Sequence, residues 1–230
     1  MVFSSEHLQS RLTSIKELER LKTILFNFGI SDISVIVYLR RPAELANSLY
    51  ATAIRSGSLL TSPPPPKDNY FNNICNHKNT IERFASVFGP ESIVPRIFRK
   101  NDFINESIIN DINYIIGNKC IDEYTIPSDA NRSISKLGLK ILRNINKKIP
   151  VFIKNKPNPL RMDVVNYVDK YFSDEKYIIQ SSLYIDYDIE FISSDTWVRD
   201  NYFPHKEDIF SREIPLKNKK IIQENLILKK

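Results

Sequence analysis

A nearly continuous apolar and mostly β-branched run from Ile33 to Leu39 constrains the fold of this chain most strongly. Runs of this kind are typical of strands that are covered on both faces, as in parallel sheets. The run ends in Arg40 and Arg41, and Pro42 then opens a helical pattern. Proline fits the first turn of a helix, because no N–H is needed there and its φ is already helical. A strand that turns straight into a helix predicts an α/β fold with a parallel sheet.

The same junction indicates a class of ligand. A helix that begins directly after a strand presents free N–H groups and the positive end of its dipole to an anion. The guanidinium groups of Arg40 and Arg41 add planar, permanently charged forks that suit phosphate. Ligands of open parallel sheets bind beyond the carboxyl ends of the strands. We therefore expect a phosphate or sulfate ligand at this junction.

Helical and extended patterns alternate along the rest of the chain. Because no clear domain boundary interrupts them, we predict a single domain over residues 1–230. Gly29, Gly57 and Gly117 each follow a helical pattern, as C-caps do. Pro95 interrupts a strand pattern and favours an edge position or a bulge. Residues after Pro150 are less regular, and Asp195 to Phe210 is rich in aromatic and turn residues. Helices are predicted at about Leu12–Phe28, Pro42–Ser56, Tyr70–Phe88, Ile104–Ile116, Ser133–Ile145 and Arg161–Phe172, with further strands at Val2–Phe3 and Ser92–Phe98.

Composition narrows the function only modestly. With 33 Lys and Arg against 27 Asp and Glu, the formal net charge is +6, which favours anionic ligands but does not by itself indicate nucleic acid. The two cysteines, Cys75 and Cys120, match no metal spacing, and free thiols predict a reducing, cytoplasmic compartment. His77 and His205 are interpreted as surface or locally bonded side chains, and no metal is expected. No apolar run is long enough to span a bilayer, and no signal peptide is visible.

Two further features are open to more than one interpretation. If Val2–Phe3 ends a strand beside the Ile33–Leu39 strand, Glu6 or His7 lies near the arginines, which is an arrangement for a general base. Alternatively, Glu6 caps the helix that follows or pairs with an arginine. The run Pro63–Pro66 predicts an extended surface loop, with recognition by a proline-binding module as a less favoured interpretation.

The run Tyr38-Leu39-Arg40-Arg41-Pro42, followed by Ser48-Leu49-Tyr50, resembles the 3′-phosphate-binding segment of sulfotransferases that use 3′-phosphoadenosine 5′-phosphosulfate (PAPS). That family has Arg-x-Pro at a strand end and a Ser eight positions after the Arg, and Arg40, Pro42 and Ser48 match in identity and spacing. Weaker similarities to bacterial members follow in the same order along the chain. They comprise Phe3–Leu8, Glu82–Gly89, Arg96–Arg99, Asn131–Ser135, Leu142–Asn146, Asn201–Pro204 and Ile209–Phe210.

This resemblance implies a three-layer fold like that of P-loop NTPases, with a parallel sheet flanked by helices. It implies that Arg40 and Ser48 hold the 3′-phosphate of the donor PAPS. Glu6 is the implied catalytic base, with His7 as its fallback. The base deprotonates a hydroxyl of a carbohydrate or another small acceptor, whose oxygen attacks sulfur in line while the nucleotide phosphate leaves. The acceptor and the oligomeric state are not indicated.

The chain departs from the family in one important respect. Family members begin with a strand and a Gly-rich loop, of the Lys-x-Gly-Thr-Thr kind, that grips the 5′-phosphosulfate. None of the five glycines here lies in such a loop, so three explanations are open: an N-terminally truncated copy, a loop supplied from elsewhere, or a protein that no longer catalyses. Two alternatives stay open: a non-catalytic module that binds an anionic polymer or a partner protein, and a glycosyltransferase of polysaccharide assembly. For the latter, Asp186-Tyr187-Asp188 has the spacing of a metal-binding pair.

Overall fold

The computed structural model describes residues 1–5, 7–118, 133–173 and 177–211. Glu6 and Cys120 lie outside the described residues, as do Asn131 and Arg132. Within them the chain is α/β and mostly helical. The helices are α1 His7–Arg11, α2 Ile15–Asn27, α3 Pro42–Arg55, α4 Asn69–Cys75, α5 His77–Phe88, α6 Ile108–Ile115, α7 Lys136–Asn146, α8 Pro159–Tyr171 and α9 Ser181–Tyr202. The strands are β1 Val35–Leu39, β2 Ile93–Ile97, β3 Phe152–Ile153 and β4 Lys156–Pro157.

The described residues group into two compact units, each built from separate stretches of chain. The sheet unit comprises those within 1–42, 65–118 and 186–211, and the helical unit comprises those within 43–64, 133–173 and 177–185. Both α3 and α9 cross a boundary between the units. One domain over residues 1–230 stays a prediction.

The sheet unit contains a parallel pair of strands, which confirms the predicted α/β character. β1 pairs with β2 from Val35 opposite Ile93 to Leu39 opposite Ile97, so Pro95 lies within β2 opposite Val37. The prediction of a strand at Val2–Phe3 was wrong, because residues 1–5 have no regular structure and are exposed. Within the described part of the chain, the parallel sheet therefore has two strands.

One apolar cluster forms the core of the sheet unit. Leu39, at the carboxyl end of β1, and Ile93 and Ile97, at the two ends of β2, are buried in it. The apolar stripe of α5 covers them, since positions three and four apart share one face of a helix. Leu18 from α2 and Val198 from α9 belong to the same cluster. The α5 residues in it are Ile81, Phe84, Val87 and Phe88.

Three helices end where the sequence predicted, at glycines with positive φ. Gly29, Gly57 and Gly117 have φ of 77°, 108° and 69°. In each case the glycine N–H donates to the carbonyl three residues earlier, and the next N–H donates to the carbonyl five residues earlier. This pair of bonds is the Schellman motif, which satisfies the last free carbonyls of a helix.

The region predicted as one helix over Tyr70–Phe88 is two helices in the structure. Asn76 has extended ψ of 92°, ends α4 and caps α5, and its side chain accepts from the N–H of Asn79 at 3.0 Å. Asparagine competes with the helix by bonding nearby backbone groups, so this interruption has a local cause. The prediction failed because the apolar spacing continues through the break.

The long helix α9 was not predicted from the sequence. Its buried positions follow helical spacing, with Tyr187, Phe191 and Val198 each at most 1% exposed. Ser194 and Asp195 are also buried on this stripe, and their polar side chains interrupt its apolar pattern. Ser and Asp favour turns when local sequence alone is considered, so packing decided this helix.

The helical unit has its own smaller core. Tyr50 and Ile54 from α3 pack with residues of α7 and α8, namely Leu139, Leu142 and Val168. β3 and β4 form a short antiparallel hairpin beside α8 in the sequence. Among the described residues, no helix combines the length and apolar character needed to cross a bilayer.

Candidate functional site

The candidate site is the carboxyl edge of the parallel sheet, which lies entirely within the sheet unit. Leu39 and Ile97 end the paired strands side by side, and the N–H of Phe98 donates to the carbonyl of Leu39 at 2.6 Å. Because both strands end here, the side chains that follow them share one edge, where open α/β sheets bind ligands. The carboxyl edge comprises Arg40 and Arg41 after β1, and Phe98, Arg99 and Lys100 after β2.

Arg40 lies on an aromatic cluster at this edge. Its guanidinium carbon is 5.6 Å from the centroid of the Phe98 ring, which is a cation–π distance. Phe98 is 40% exposed and meets Tyr38 and Phe103 edge-on, with centroids 6.3 and 5.5 Å apart. This contact restricts the Arg40 side chain, so less conformational entropy is lost when it binds an anion.

A buried carboxylate fixes the strands beneath this cluster. Asp111 of α6 is fully buried and accepts from the Tyr38 hydroxyl at 2.7 Å, from Arg96 through Nε at 3.0 Å and through a second nitrogen, and from the N–H of Ile104 at 3.2 Å. Burial alone raises the pKa of Asp111, but the hydrogen bonds from Arg96, Tyr38 and Ile104 outweigh it and lower the pKa. Tyr38 and Arg96 face each other across the parallel register, so Asp111 ties both strands together.

The two cations that follow Phe98 are partly neutralised. Asp102 bonds Arg99 and the Nζ of Lys206, the latter at 2.9 Å. Lys100 pairs with Glu106 at 3.1 Å, and both are largely exposed. Partial burial raises the pKa of Asp102, but its bonds to Arg99 and Lys206 dominate and lower it.

Arg41 has a structural role that the sequence did not indicate. The sequence places Arg41 beside Arg40 as a cation for a phosphate ligand, but Arg41 is buried and forms a two-pronged ion pair with Asp188 of α9, with Nε 3.0 Å from Oδ1. The local pattern gave no sign of this partner, because Asp188 is 147 residues away in the chain. Burying a paired guanidinium is tolerable where both carboxylate oxygens accept hydrogen bonds.

The pairing also weakens the metal interpretation of Asp186 and Asp188. Both lie within helix α9 rather than after a strand, and positions two apart on a helix do not face each other. Asp188 is already bonded to Arg41. Among the described residues there is no group of three or more His, Cys, Asp or Glu side chains that could hold a metal ion.

His77 is the site residue that sequence reasoning missed. It is 1% exposed at the start of α5, and its Nε2 lies 2.7 Å from the backbone carbonyl of Arg40. A carbonyl only accepts, so Nε2 carries the proton and donates. Burial lowers the pKa of His77 to about 4 from 6.5, although the bond to Arg40 opposes this shift. The imidazole is therefore neutral at pH 7 and holds the Arg40 backbone in place.

The helix break at Asn76 makes this contact available. Cys75 and His77 flank Asn76, and the Cys75 thiol lies 3.7 Å from the carbonyl of Pro42. Two consecutive helices thus bond the backbone on both sides of Arg41. The sequence gives no indication of which distant carbonyls Cys75 and His77 reach.

The other predicted site residues are distributed as follows. Arg40 is half-buried in the sheet unit, and Ser48 is half-buried on α3 within the helical unit. His7 is exposed at the start of α1, and its N–H donates to the Ser5 hydroxyl at 3.1 Å. Glu6 lies outside the described residues. Since residues 1–5 form no strand, the reason for expecting Glu6 or His7 beside the arginines is lost, and their role as a base stays a prediction.

The glycines, all of which lie in described residues, have structural roles rather than forming a phosphate loop. Three end helices with positive φ, as described above. Gly89 ends α5 with φ of 97°, and Gly138 is buried in α7, where an added Cβ would lie 2.7 Å from Ile134 Cγ1. The glycines of this chain thus end helices or allow close packing in α7, and none forms the Gly-rich loop that the sulfotransferase pattern has.

No protein-family model, no curated protein and no solved structure matches this chain.

Proposed function

We propose that the carboxyl edge binds the phosphate of an adenosine 3′,5′-bisphosphate-type nucleotide and that the protein is related in function to PAPS-dependent sulfotransferases. The observation that carries the proposal is the position of Arg40. It follows a parallel strand, precedes a helix that begins at Pro42, and lies on the exposed ring of Phe98. A guanidinium at the carboxyl edge of a parallel sheet suits phosphate in charge and in geometry.

The finer parts of the proposal derive from the sequence resemblance. Ser48 contributes a second phosphate contact, and the chain adopts the three-layer arrangement of P-loop NTPases. In the full reaction, Glu6, or His7 in its place, removes the proton from an acceptor hydroxyl. The hydroxyl oxygen forms a bond to sulfur as the sulfur–oxygen bond to the nucleotide phosphate breaks.

Binding without turnover is the second candidate function. It is favoured by the use of all five glycines in helix ends and helix packing, which leaves no Gly-rich loop for the 5′-phosphosulfate. Preorganised donors at a leaving group typically contribute two to three orders of magnitude in rate, so their loss is severe.

Calorimetry with adenosine 3′,5′-bisphosphate tests the binding step. A charge-assisted phosphate contact contributes about 1.5–3 kcal/mol, so Arg40→Ala should weaken binding by about 10- to 150-fold. Arg20→Ala, at an exposed position of α2, is the matched control and should leave the affinity unchanged. Equal affinity in Arg40→Ala and the unaltered protein would remove the assignment of Arg40.

Two further measurements separate the parts of the proposal. Ser48→Ala should weaken binding by about 2- to 10-fold, as expected for a neutral hydrogen bond, and an unchanged affinity removes Ser48. Transfer of labelled sulfate from PAPS to a panel of glycans tests catalysis. Turnover that Glu6→Gln abolishes supports the enzyme, whereas nucleotide binding without turnover supports the non-catalytic function.

A further inference from the structure

All charged side chains between residues 133 and 162 are basic. This stretch contains eight lysines and arginines and no aspartate or glutamate. Two of the eight are bonded internally: Arg143 donates to the Tyr50 hydroxyl and Arg161 to the carbonyl of Arg55. The other six are the exposed lysines Lys136, Lys140, Lys147, Lys148, Lys154 and Lys156.

The β3–β4 hairpin in the middle of this stretch carries two large exposed apolar side chains. Phe152 is 60% exposed and Ile153 is 50% exposed. Phe152 lies opposite Pro157 and Ile153 opposite Lys156, and side chains alternate between the two faces of a strand. Both faces of the hairpin thus expose apolar surface, which its own unit does not cover.

The hairpin is nevertheless held in a defined shape. Lys154 and Asn155 have φ of 48° and 62°, as a two-residue type I′ turn requires. At its base, the N–H of Asn158 donates to the carbonyl of Val151, and the Asn158 side chain donates to the carbonyl of Pro150, both at 2.9 Å. An anchored hairpin with exposed apolar side chains on β3 is suited to contact an apolar phase.

Lysines lie close in the sequence on both sides of Phe152 and Ile153. Lys154 lies in the turn and Lys156 on β4, while Lys147 and Lys148 follow the end of α7 a few residues before Phe152. All four side chains are exposed, so an external anion can reach their charges.

We propose that this hairpin docks the protein on an anionic lipid bilayer, with Phe152 and Ile153 entering the interface and the four lysines contacting lipid phosphates. Peripheral binding needs both apolar insertion and electrostatic attraction, and this segment supplies both. Single-stranded nucleic acid shares the phosphate chemistry but prefers aromatic stacking surfaces. The exposed aliphatic Ile153, with Leu160 and Met162 at the start of α8, favours lipid. The proposal is independent of nucleotide binding.

Flotation of the full chain with phosphatidylcholine vesicles, with and without phosphatidylglycerol, tests the proposal. Binding should require phosphatidylglycerol and decrease as salt increases. The double variant Phe152→Ser, Ile153→Ser should weaken it by at least tenfold, since each side chain loses its insertion. Changing the four lysines to Gln should weaken it by about fivefold for each lysine.

The matched control is Phe26→Ser, Phe28→Ser, which removes two apolar side chains of the sheet unit that are 68% and 79% exposed. This variant should bind vesicles like the unaltered protein. The proposal is overturned by absence of binding to phosphatidylglycerol vesicles, or by equal loss in both double variants. It is also overturned if single-stranded DNA displaces all of the protein from the vesicles and binds the Phe152→Ser, Ile153→Ser variant as tightly as the unaltered protein.

Discussion

The sheet unit and the helical unit differ in how their charged side chains are compensated. In the sheet unit, Arg41, Arg96 and Arg99 each bond a carboxylate that is largely or fully buried. The described residues of the helical unit include ten lysines and arginines but only three acidic residues, and Arg55 pairs with one of these, Asp169, which is 30% exposed.

This difference separates two uses of positive charge. In the sheet unit, ion pairs with buried carboxylates hold the backbone around Arg40, so charge there is mainly structural, and Arg40 is the one arginine that we propose for a ligand. In the helical unit, exposed lysines contribute little to folding, because solvent screens them. Removing a paired charge from the sheet unit should therefore lower stability, whereas removing an exposed lysine from the helical unit should weaken binding.

The largest expected effect comes from breaking the buried network of the sheet unit. Asp111→Asn should destabilise the protein by about 3–5 kcal/mol, because Arg96 loses its buried partner and the amide cannot accept every bond. Urea unfolding followed by fluorescence of Trp197 measures this, since the single tryptophan lies in the sheet unit.

Glu106→Gln is the matched control, because Glu106 and its partner Lys100 are 62% and 73% exposed. It should change stability by no more than about 0.5 kcal/mol. The lowered pKa of Asp111 adds a pH signature: its contribution is present above the unfolded value near 4 and is lost as pH falls through the folded pKa. A cost that is equal for both variants contradicts the comparison of buried and exposed pairs.

The next effect concerns His77. Its folded pKa of about 4 lies below the ordinary 6.5, so its contribution is complete above pH 6.5 and is lost as pH falls to about 4. The difference between these two pKa values corresponds to ~3 kcal/mol in the free energy of unfolding. His77→Gln keeps a donor for the Arg40 carbonyl but does not titrate, so the variant should lack this part of the pH dependence.

The measurement is the free energy of unfolding from pH 7 to pH 4, again from Trp197 fluorescence. His7→Gln, at an exposed histidine, should keep the pH dependence of the unaltered protein. If His77→Gln also keeps it, the imidazole is not buried in neutral form.

The smallest effect compares one helix end from each unit. Gly29 has φ of 77° with open space around it, so Gly29→Ala should cost about 1–2 kcal/mol for the backbone alone. At Gly57, with φ of 108°, an added Cβ would also lie 2.4 Å from Val151 Cγ2. Gly57→Ala should therefore cost about 1–2 kcal/mol more, measured by circular dichroism on thermal unfolding.

Adding Val151→Ala to Gly57→Ala should recover that difference, because the overlapping methyl group is removed. The same valine change should not help Gly29→Ala. Equal costs at the two glycines would show that backbone conformation, and not crowding by Val151, determines the helix end in the helical unit.

Sequence patterns predicted the features whose causes lie within a few residues. The β-branched run before Arg40 became β1, and Pro42 became the first residue of α3. The glycine ends were predicted because positive φ is a property of one residue. Three features escaped prediction: the Asn76 break, helix α9 and the partners of Arg41 and His77. In each, local propensity or spacing favoured another structure or gave no information.

By itself, the sequence determined a parallel strand–helix junction with Arg40 at its end, the helix ends and an excess of lysine in one stretch. The tertiary structure decided which charges are buried and what they contact. Asp188 reaches Arg41 from 147 positions away, and His77 reaches the Arg40 carbonyl from 37 positions away. The physical reason is that dihedral preferences and capping act over one or two helical turns, whereas burial and charge pairing depend on which distant segments pack together.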